Sequence, residues 1–495
     1  MANMDLQPTI SAMRVAQRAW AELPLKARAA HLLQVRTRLS ARAEELAELV
    51  ALETRKSPAD AWFADVVPNL DLFTWWAGPG AKLLRPQRSK LSPLRYPAKE
   101  GELFYEPKGV VGLITPWNYP AALPLRAMVP ALMAGNALLF KPSEVTPKTG
   151  AFVAELFQEV LPGGLVALVQ GGAEAGQAVV DHADHVVFIG GEKAGREVAR
   201  RAAERLISVS LELGGKDAAL VLADCDLERT LSGVLWGAFT NSGQNCAAIE
   251  RVYVVESLYE TFVERLIAAA SELEIAPVAT EAQDALIRSH LEDAQAQGAH
   301  LHGAYPGPVV LTGVPEGAKV MQEETFGPLC PVLSVPSAEE GLRRANASPY
   351  GLTLSIWTRD EARARSIAAR AQTGVVSVNN VAMSASMPFA PWSGRGISGG
   401  GVTNSPLAIL EMVEPKYLLF DHGKDPEAWW FPGDSSALDF ARRSLAWISA
   451  GPFGRVLGLF GLLRAMRERI ARSRALIAKG QGESSREDKK YSASE

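Results

Sequence analysis

The chain has 495 residues, too many for one simple core, so two or three domains are expected. Apolar residues make up 47% and charged residues 21%, the balance of a water-soluble globular protein, and a net charge of −4 argues against a general nucleic-acid binder. Three cysteines, Cys225, Cys246 and Cys330, are odd in number and lack metal-ligand spacing, which points to a reducing, cytoplasmic compartment and to no metal site. Met1–Ile10 has no apolar core of a signal peptide, and no apolar run reaches the roughly eighteen residues of a spanning helix.

From about 10 to 85 apolar residues recur at helical spacing, as in Leu32, Leu33, Val35 and Leu39. From about 103 the texture changes, and Phe104 to Ile114 reads as strand, turn, strand. A helix from Ala121 to about Met133 and a buried strand at Asn136–Phe140 follow. Strand and helix signals then alternate through Leu165–Gln170, His185–Ile189 and Ile207–Leu211. The second half repeats this, with strands at Asp217–Leu222, Ile249–Val255, Val309–Thr312, Pro331–Val335 and Val375–Val378. Such alternation predicts an α/β fold built on mainly parallel sheets. Tyr417–Phe420 reads as a closing strand.

Several motifs carry chemistry. Asn118, in Thr115-Pro116-Trp117-Asn118-Tyr119-Pro120, is braced by two prolines and offers a fixed amide donor for an oxyanion; an Asn in a Pro-rich turn is the bland alternative. Lys141 and Glu144, in Lys141-Pro142-Ser143-Glu144 after the buried strand, suit a ribose, or simply a solvated turn. Phe188-Ile189-Gly190-Gly191-Glu192-Lys193-Ala194-Gly195 is a glycine-bearing strand-to-helix turn able to face a pyrophosphate, although it is not the GxGxxG fingerprint. Glu212, in Leu211-Glu212-Leu213-Gly214-Gly215-Lys216, and Cys246, in Gly243-Gln244-Asn245-Cys246, pair a carboxylate with a nucleophilic sulfur in small-residue surroundings. Glu324-Thr325-Phe326-Gly327-Pro328 adds a carboxylate and an aromatic ring. Cys225 and Cys330 lack such context and read as structural.

Taken in order, these motifs resemble the aldehyde dehydrogenase superfamily over about residues 10 to 420. The resemblance implies a Rossmann-like cofactor domain (1–101 and 112–211) and an α/β catalytic domain (212–410). It also implies a small β bridging arm (102–111 and 411–420) that pairs subunits into a homodimer or homotetramer. It makes Cys246 the nucleophile that forms a thiohemiacetal and then a thioester, Asn118 and the Cys246 N–H the oxyanion donors, and Glu212 the base that activates the hydrolytic water. Lys141 and Glu144 would hold the ribose, Gly190 and Gly195 the pyrophosphate turn, and Trp117, Glu324 and Phe326 the nicotinamide side. Glu144 leans the cofactor toward NAD, with NADP as the alternative. A thiol that must act as a thiolate is expected to have a lowered pKa. A small-molecule aldehyde is the expected substrate, oxidised to its carboxylic acid. Glu212 favours hydrolysis over transfer to coenzyme A, and the retained Asn118, Glu212 and Cys246 weigh against a non-catalytic scaffold.

The chain departs from the family pattern where Gly191 replaces a common Ser and where Pro388 to Gly401 shifts the usual Ser-Gly and Gly-Arg pairs. It also continues for some seventy residues past the expected last strand. Within 421–480, a helix is expected at Ser435–Ser449, capped by Ser435 or Ser436, and a second from Phe453 to Lys479. Residues 435–479 hold nine Lys/Arg against two acids, with an apolar side that includes Trp447, Phe453 and Phe460. Basic amphipathic helices of this kind lie in a membrane interface or pack on the protein itself, and both readings stay open. Residues 481–495 are polar and expected to be a disordered tail.

Overall fold

The computed structural model describes residues 6–93 and 95–491, with side chains through 478. The chain divides into two compact units: residues up to 85 with 105–416, and 86–104 with the residues from 417 onward.

The first unit holds two large, mainly parallel sheets. The smaller has five strands, in the order Val166–Leu168, Ala137–Lys141, Val110–Ile114, His185–Ile189, Ser208–Glu212, all parallel. Its three central strands are buried at every position, which is why they are apolar apart from the terminal Lys141 and His185. The chain winds outward one way from Val110–Ile114 and then returns to its other side at His185–Ile189. The connections leaving these two strands therefore diverge, opening a crevice at their carboxyl ends. Thr115–Asn118 leaves one strand there, and Gly190–Gly191 leaves the other.

Helices Gln7–Glu22, Leu25–Ala41, Ala43–Thr54 and Val67–Ala77 contribute Trp20, Leu32, Val50 and Phe73 to the core on this sheet. Helix Ala122–Ala134 is buried at every position except Arg126.

The larger sheet has seven strands, in the order His300–His302, Val309–Thr312, Leu329–Val335, Ile249–Val255, Asp217–Val221, Thr353–Trp357, Val375–Val378. Only the first pair is antiparallel. Alternate side chains enter two separate cores, Leu220 and Tyr253 in one, Val221 and Val252 in the other.

The two strands flanking Gly109, read from sequence as strand, turn, strand, do not pair with each other. Lys99–Pro107 lies between Gln87–Ser89 and Val413–Asp421 in a separate three-stranded sheet, whereas Val110–Ile114 is the centre of the five-stranded one. Burial decides this: Val110–Ile114 is wholly apolar and enclosed, while Lys99–Pro107 keeps its charged residues near solvent.

The second unit carries two helices, Ser435–Ser449 and Pro452–Tyr491. The first is capped by Asp434 rather than by a serine; its carboxylate accepts from the Ser436 and Ala437 N–H groups. Trp447 Nε1 donates to the Arg455 carbonyl across the turn between the helices at 2.8 Å. The guanidinium of Arg469 is fully buried and donates to the Ala428, Trp430 and Pro432 carbonyls, fixing the segment before the first helix. The backbone stays helical to Tyr491, through most of the stretch expected to be a disordered tail; residues 492–495 lie outside those described. Among the described residues no helix is long and apolar enough to cross a membrane.

Candidate active site

Cys246 is presented by a strained turn. Helix Leu227–Phe239 ends in Thr240–Gly243, where Asn241 (φ 50°) and Ser242 (φ 56°) both take the left-handed conformation. That conformation costs an L-residue roughly 1–2 kcal/mol. Hydrogen bonds hold it: Asn241 Nδ2 donates to the Asn118 and Gln244 carbonyls at 3.2 and 3.1 Å, and Gln244 Nε2 donates back to the Asn241 carbonyl at 2.9 Å. The turn thus ties Cys246 to the segment that carries Asn118.

That segment rests on a buried ion pair. Lys56 Nζ lies 2.9 Å from Asp65, both side chains fully enclosed, and donates to the Asn118 carbonyl at 2.8 Å. Asp65 also accepts from the Ala121 and Ala122 N–H groups at 3.1 and 3.0 Å. Asp65 sits in a π-helical stretch, Ala61–Val66, which re-aims it toward the turn. Asn118 is buried, and its Oδ1 has no partner among the described residues.

Glu212 ends its strand beside the 392–403 loop. Trp392 Nε1 donates to its Oε1 at 2.9 Å, and Thr403 Oγ1 to its Oε2 at 3.3 Å. Leu213 N–H donates to the Ser398 carbonyl, and Gly399 bridges to Glu212 through the backbone. A Cβ at Gly399 would lie 2.2 Å from the Leu211 carbonyl oxygen, so this close approach requires glycine. The irregular glycine run is thus the packing surface for the strand bearing Glu212.

On the far wall, Glu324 accepts from the Gly215 N–H at 3.1 Å, and a Cβ at Gly214 would strike its carboxylate. Glu250, paired with Lys216, accepts from the Thr325 and Phe326 N–H groups, both at 2.7 Å. The Phe326 ring meets Trp117 edge-on, with centroids 5.7 Å apart.

These parts enclose a cavity of about 220 Å³. Asn118, Glu212, Cys246, Trp117, Gly190, Glu324 and Phe326 all line it, together with Gln283 and Leu286. Lys141, Glu144 and Gly195 do not. Lys141 pairs with Glu144 at 2.9 Å at the end of Ala137–Lys141, and Gly195 packs helix Glu192–Glu204 onto Leu213.

The electrostatics of the cavity are acidic. Burial, then the carboxylates of Glu212, Asp217 and Glu324, push the Cys246 thiol well above its ordinary value, and Arg126 eases the shift. The sequence predicted a lowered value; burial, reinforced by three carboxyl groups, reverses the sign. Burial also raises Glu212, opposed by Arg126 and by the Trp392 and Thr403 hydrogen bonds. Glu324 is pushed up to about 8 by burial and by Glu250.

Comparison with known proteins agrees with this architecture. The model of the aldehyde dehydrogenase family matches residues 1–418. The chain belongs to the aldehyde dehydrogenase family. A 4,4'-diapolycopene aldehyde oxidase from Methylomonas sp is 36% identical over 451 residues, covering 88% of this chain and 85% of that one. A putative succinate-semialdehyde dehydrogenase [NADP(+)] from Mycobacterium tuberculosis is 32% identical, covering 83% of each. Among solved structures, a putative aldehyde dehydrogenase from Anabaena variabilis superposes with a TM-score of 0.82 at 32% identity, covering 87% of this chain and 96% of that one. The NAD+ complex of an aldehyde dehydrogenase from Bacillus cereus gives 0.81 at 31% identity, covering 85% and 89%. This chain is therefore an aldehyde-oxidising oxidoreductase with a Rossmann-like cofactor domain.

The crevice fits the dinucleotide that aldehyde dehydrogenases use. Gly190 and Gly191 line the cavity, no described residue lies within 4 Å of a Cβ placed on Gly191, and helix Glu192–Glu204 begins there without a side-chain cap among the described residues. First-turn N–H groups are thus left for an anion such as a pyrophosphate. Lys56, Asp65, Asn241, Trp392 and Thr403 were not legible as site residues. They act on the backbone around Asn118 or on the Glu212 carboxylate and carry no local motif.

Proposed function

We propose that this chain oxidises an aldehyde to a carboxylic acid through a covalent intermediate on Cys246, using NAD in preference to NADP. The observation that carries this reading is that Cys246, Glu212 and Asn118 converge on one cavity, which also meets the glycine turn at a helix N-terminus. The Cys246 thiolate adds to the carbonyl carbon, and the oxyanion of the thiohemiacetal is held by the Asn118 amide and the Cys246 N–H. When bound, a nicotinamide ring would accept the hydride that the thiohemiacetal carbon loses on becoming a thioester. Glu212 takes a proton from water, the hydroxide attacks the thioester carbon, and the C–S bond breaks to release the acid and restore the thiolate. Trp117 and Phe326 flank the nicotinamide side with Glu324, Gly190 and Gly195 frame the pyrophosphate turn, and Lys141 and Glu144 hold the ribose. A carboxylate at 144 accepts hydrogen bonds from a free 2′-hydroxyl and repels a 2′-phosphate.

In the same reading the protein is a cytoplasmic homodimer or homotetramer whose C-terminal helices touch a membrane surface peripherally. The test is an aldehyde panel, from long apolar aldehydes to short carboxylate-bearing semialdehydes, run with each dinucleotide. Reduced dinucleotide and acid without added coenzyme A is the expected result. A folded protein that reduces neither dinucleotide with any aldehyde contradicts it.

A further inference from the structure

We propose that the C-terminal unit docks on an anionic phospholipid bilayer, with a cation-lined groove that takes lipid phosphates. This deepens the membrane-contact reading above and rests on it. The groove, about 590 Å³, is lined by Lys90 and Arg95 from one segment and by Trp447, Arg455, Val456 and Leu459 from the two helices. Among the described residues its lining holds three cations and no carboxylate. Like charges around one concavity repel, and an anion seated among them relieves that repulsion.

Beside the groove lies an unpartnered apolar stripe. Phe453, Val456, Leu457 and Phe460 follow the i, i+3, i+4, i+7 spacing of one helix face, and each is more than two-thirds exposed. Val456 belongs to both the groove and the stripe. Arg464 and Arg467 continue the same face by one and two further turns, and both are exposed. Four large apolar side chains in one exposed row exceed what a soluble surface leaves open. An apolar row continued by arginines, next to a cationic groove, complements acyl chains below and anionic headgroups above. With no described helix able to cross a membrane, the contact is peripheral.

The experiment is flotation of the full-length protein with phosphatidylcholine vesicles and with vesicles also containing phosphatidylglycerol. Aldehyde oxidation and subunit size are followed in parallel. The parent should float chiefly with the anionic vesicles. The exposed pair K90Q/R95Q should bind those vesicles roughly thirtyfold less, at about a tenfold loss per 1.4 kcal/mol and about 1 kcal/mol per surface cation, with neutral-vesicle binding unchanged. F453S/F460S should lose binding to both, with aldehyde oxidation intact. If the parent floats and both variants match it, membrane contact stands and this surface is overturned. If the parent floats with no vesicle, both readings fall. If inorganic phosphate protects Lys90 from acylation while no vesicle binds, the groove is a free-phosphate site and the bilayer proposal is overturned. If F453S/F460S splits the oligomer without changing flotation, the stripe joins copies of the chain and the proposal is likewise overturned.

Discussion

Trp392 Nε1 donates to Glu212 Oε1 across 180 residues of sequence, at 2.9 Å. A hydrogen bond of this kind favours the ionised carboxylate, against the burial that disfavours it. It also sets the direction in which the carboxylate points. Trp392 is therefore a positioning residue for the proposed base.

Trp392→Phe keeps the packing and removes the donor. Without it the Glu212 pKa rises further, so the acidic limb of the kcat–pH profile moves to higher pH. Hydrogen bonds to charged groups contribute about 1.5–3 kcal/mol, so kcat near neutrality should fall by about tenfold or more. A pH–rate profile checks this, with the melting temperature measured alongside. A lower melting temperature with an unmoved acidic limb would reduce Trp392 to a packing role.

Lys56→Met leaves the Asp65 carboxylate buried without its counter-ion. Breaking such a pair from one side costs about 3–5 kcal/mol. The Asn118 carbonyl also loses its Lys56 donor, so kcat should drop along with stability. Denaturant unfolding and steady-state kinetics measure both. The double variant K56M/D65N should recover much of the stability but not the activity.

Glu324 and Asp217 are both pushed up to about 8, from ordinary values of 4.5 and 3.8, chiefly by burial. A carboxyl raised by folding binds more protons in the native state than in the unfolded state. Its stabilising effect is complete below the unfolded pKa and is lost as pH climbs to the folded one. Stability should therefore fall between about pH 4 and pH 8, by up to about 1.4 kcal/mol per pH unit for each group. Glu324→Gln retains an acceptor for the Gly215 N–H and should flatten that slope. Urea unfolding across the pH range reads it out.

The thiol of Cys246 stands well above its ordinary value, through burial and then through Glu212, Asp217 and Glu324. Alkylation by iodoacetamide should thus be slow at pH 7 and accelerate only above pH 9. Glu212→Gln removes the largest of the three carboxylate contributions and should shift the alkylation profile to lower pH. A profile unchanged by that substitution would mean that Glu212 does not govern the thiol.

Much of the fold was legible because burial and periodicity coincide. Val110–Ile114 is an unbroken apolar run, and His185–Ile189 is apolar after its first residue; such runs form buried strands. The site was legible where chemistry and glycine spacing fall within a few residues, as around Glu212 and Cys246. What escaped notice depends on long-range pairing. Trp392 looks like a core residue until the fold carries it to Glu212, and Lys56 looks like a surface charge until Asp65 encloses it. The strands on either side of Gly109 were legible but their partners were not, because a turn does not say whether its two strands pair with each other. The sign of the thiol shift was not legible because burial of Cys246, and then the approach of three carboxyl groups from separate segments, arise only in the folded chain.

The central claim is best tested by intact-mass and peptide-mapping mass spectrometry of the Glu212→Gln enzyme after one turnover with a reactive aldehyde and NAD+. With the base neutralised, the acyl group should accumulate as a thioester on Cys246, alongside a burst of NADH equal to the enzyme present. A burst of NADH with Cys246 unmodified, or an acyl group found on another residue, would contradict the account.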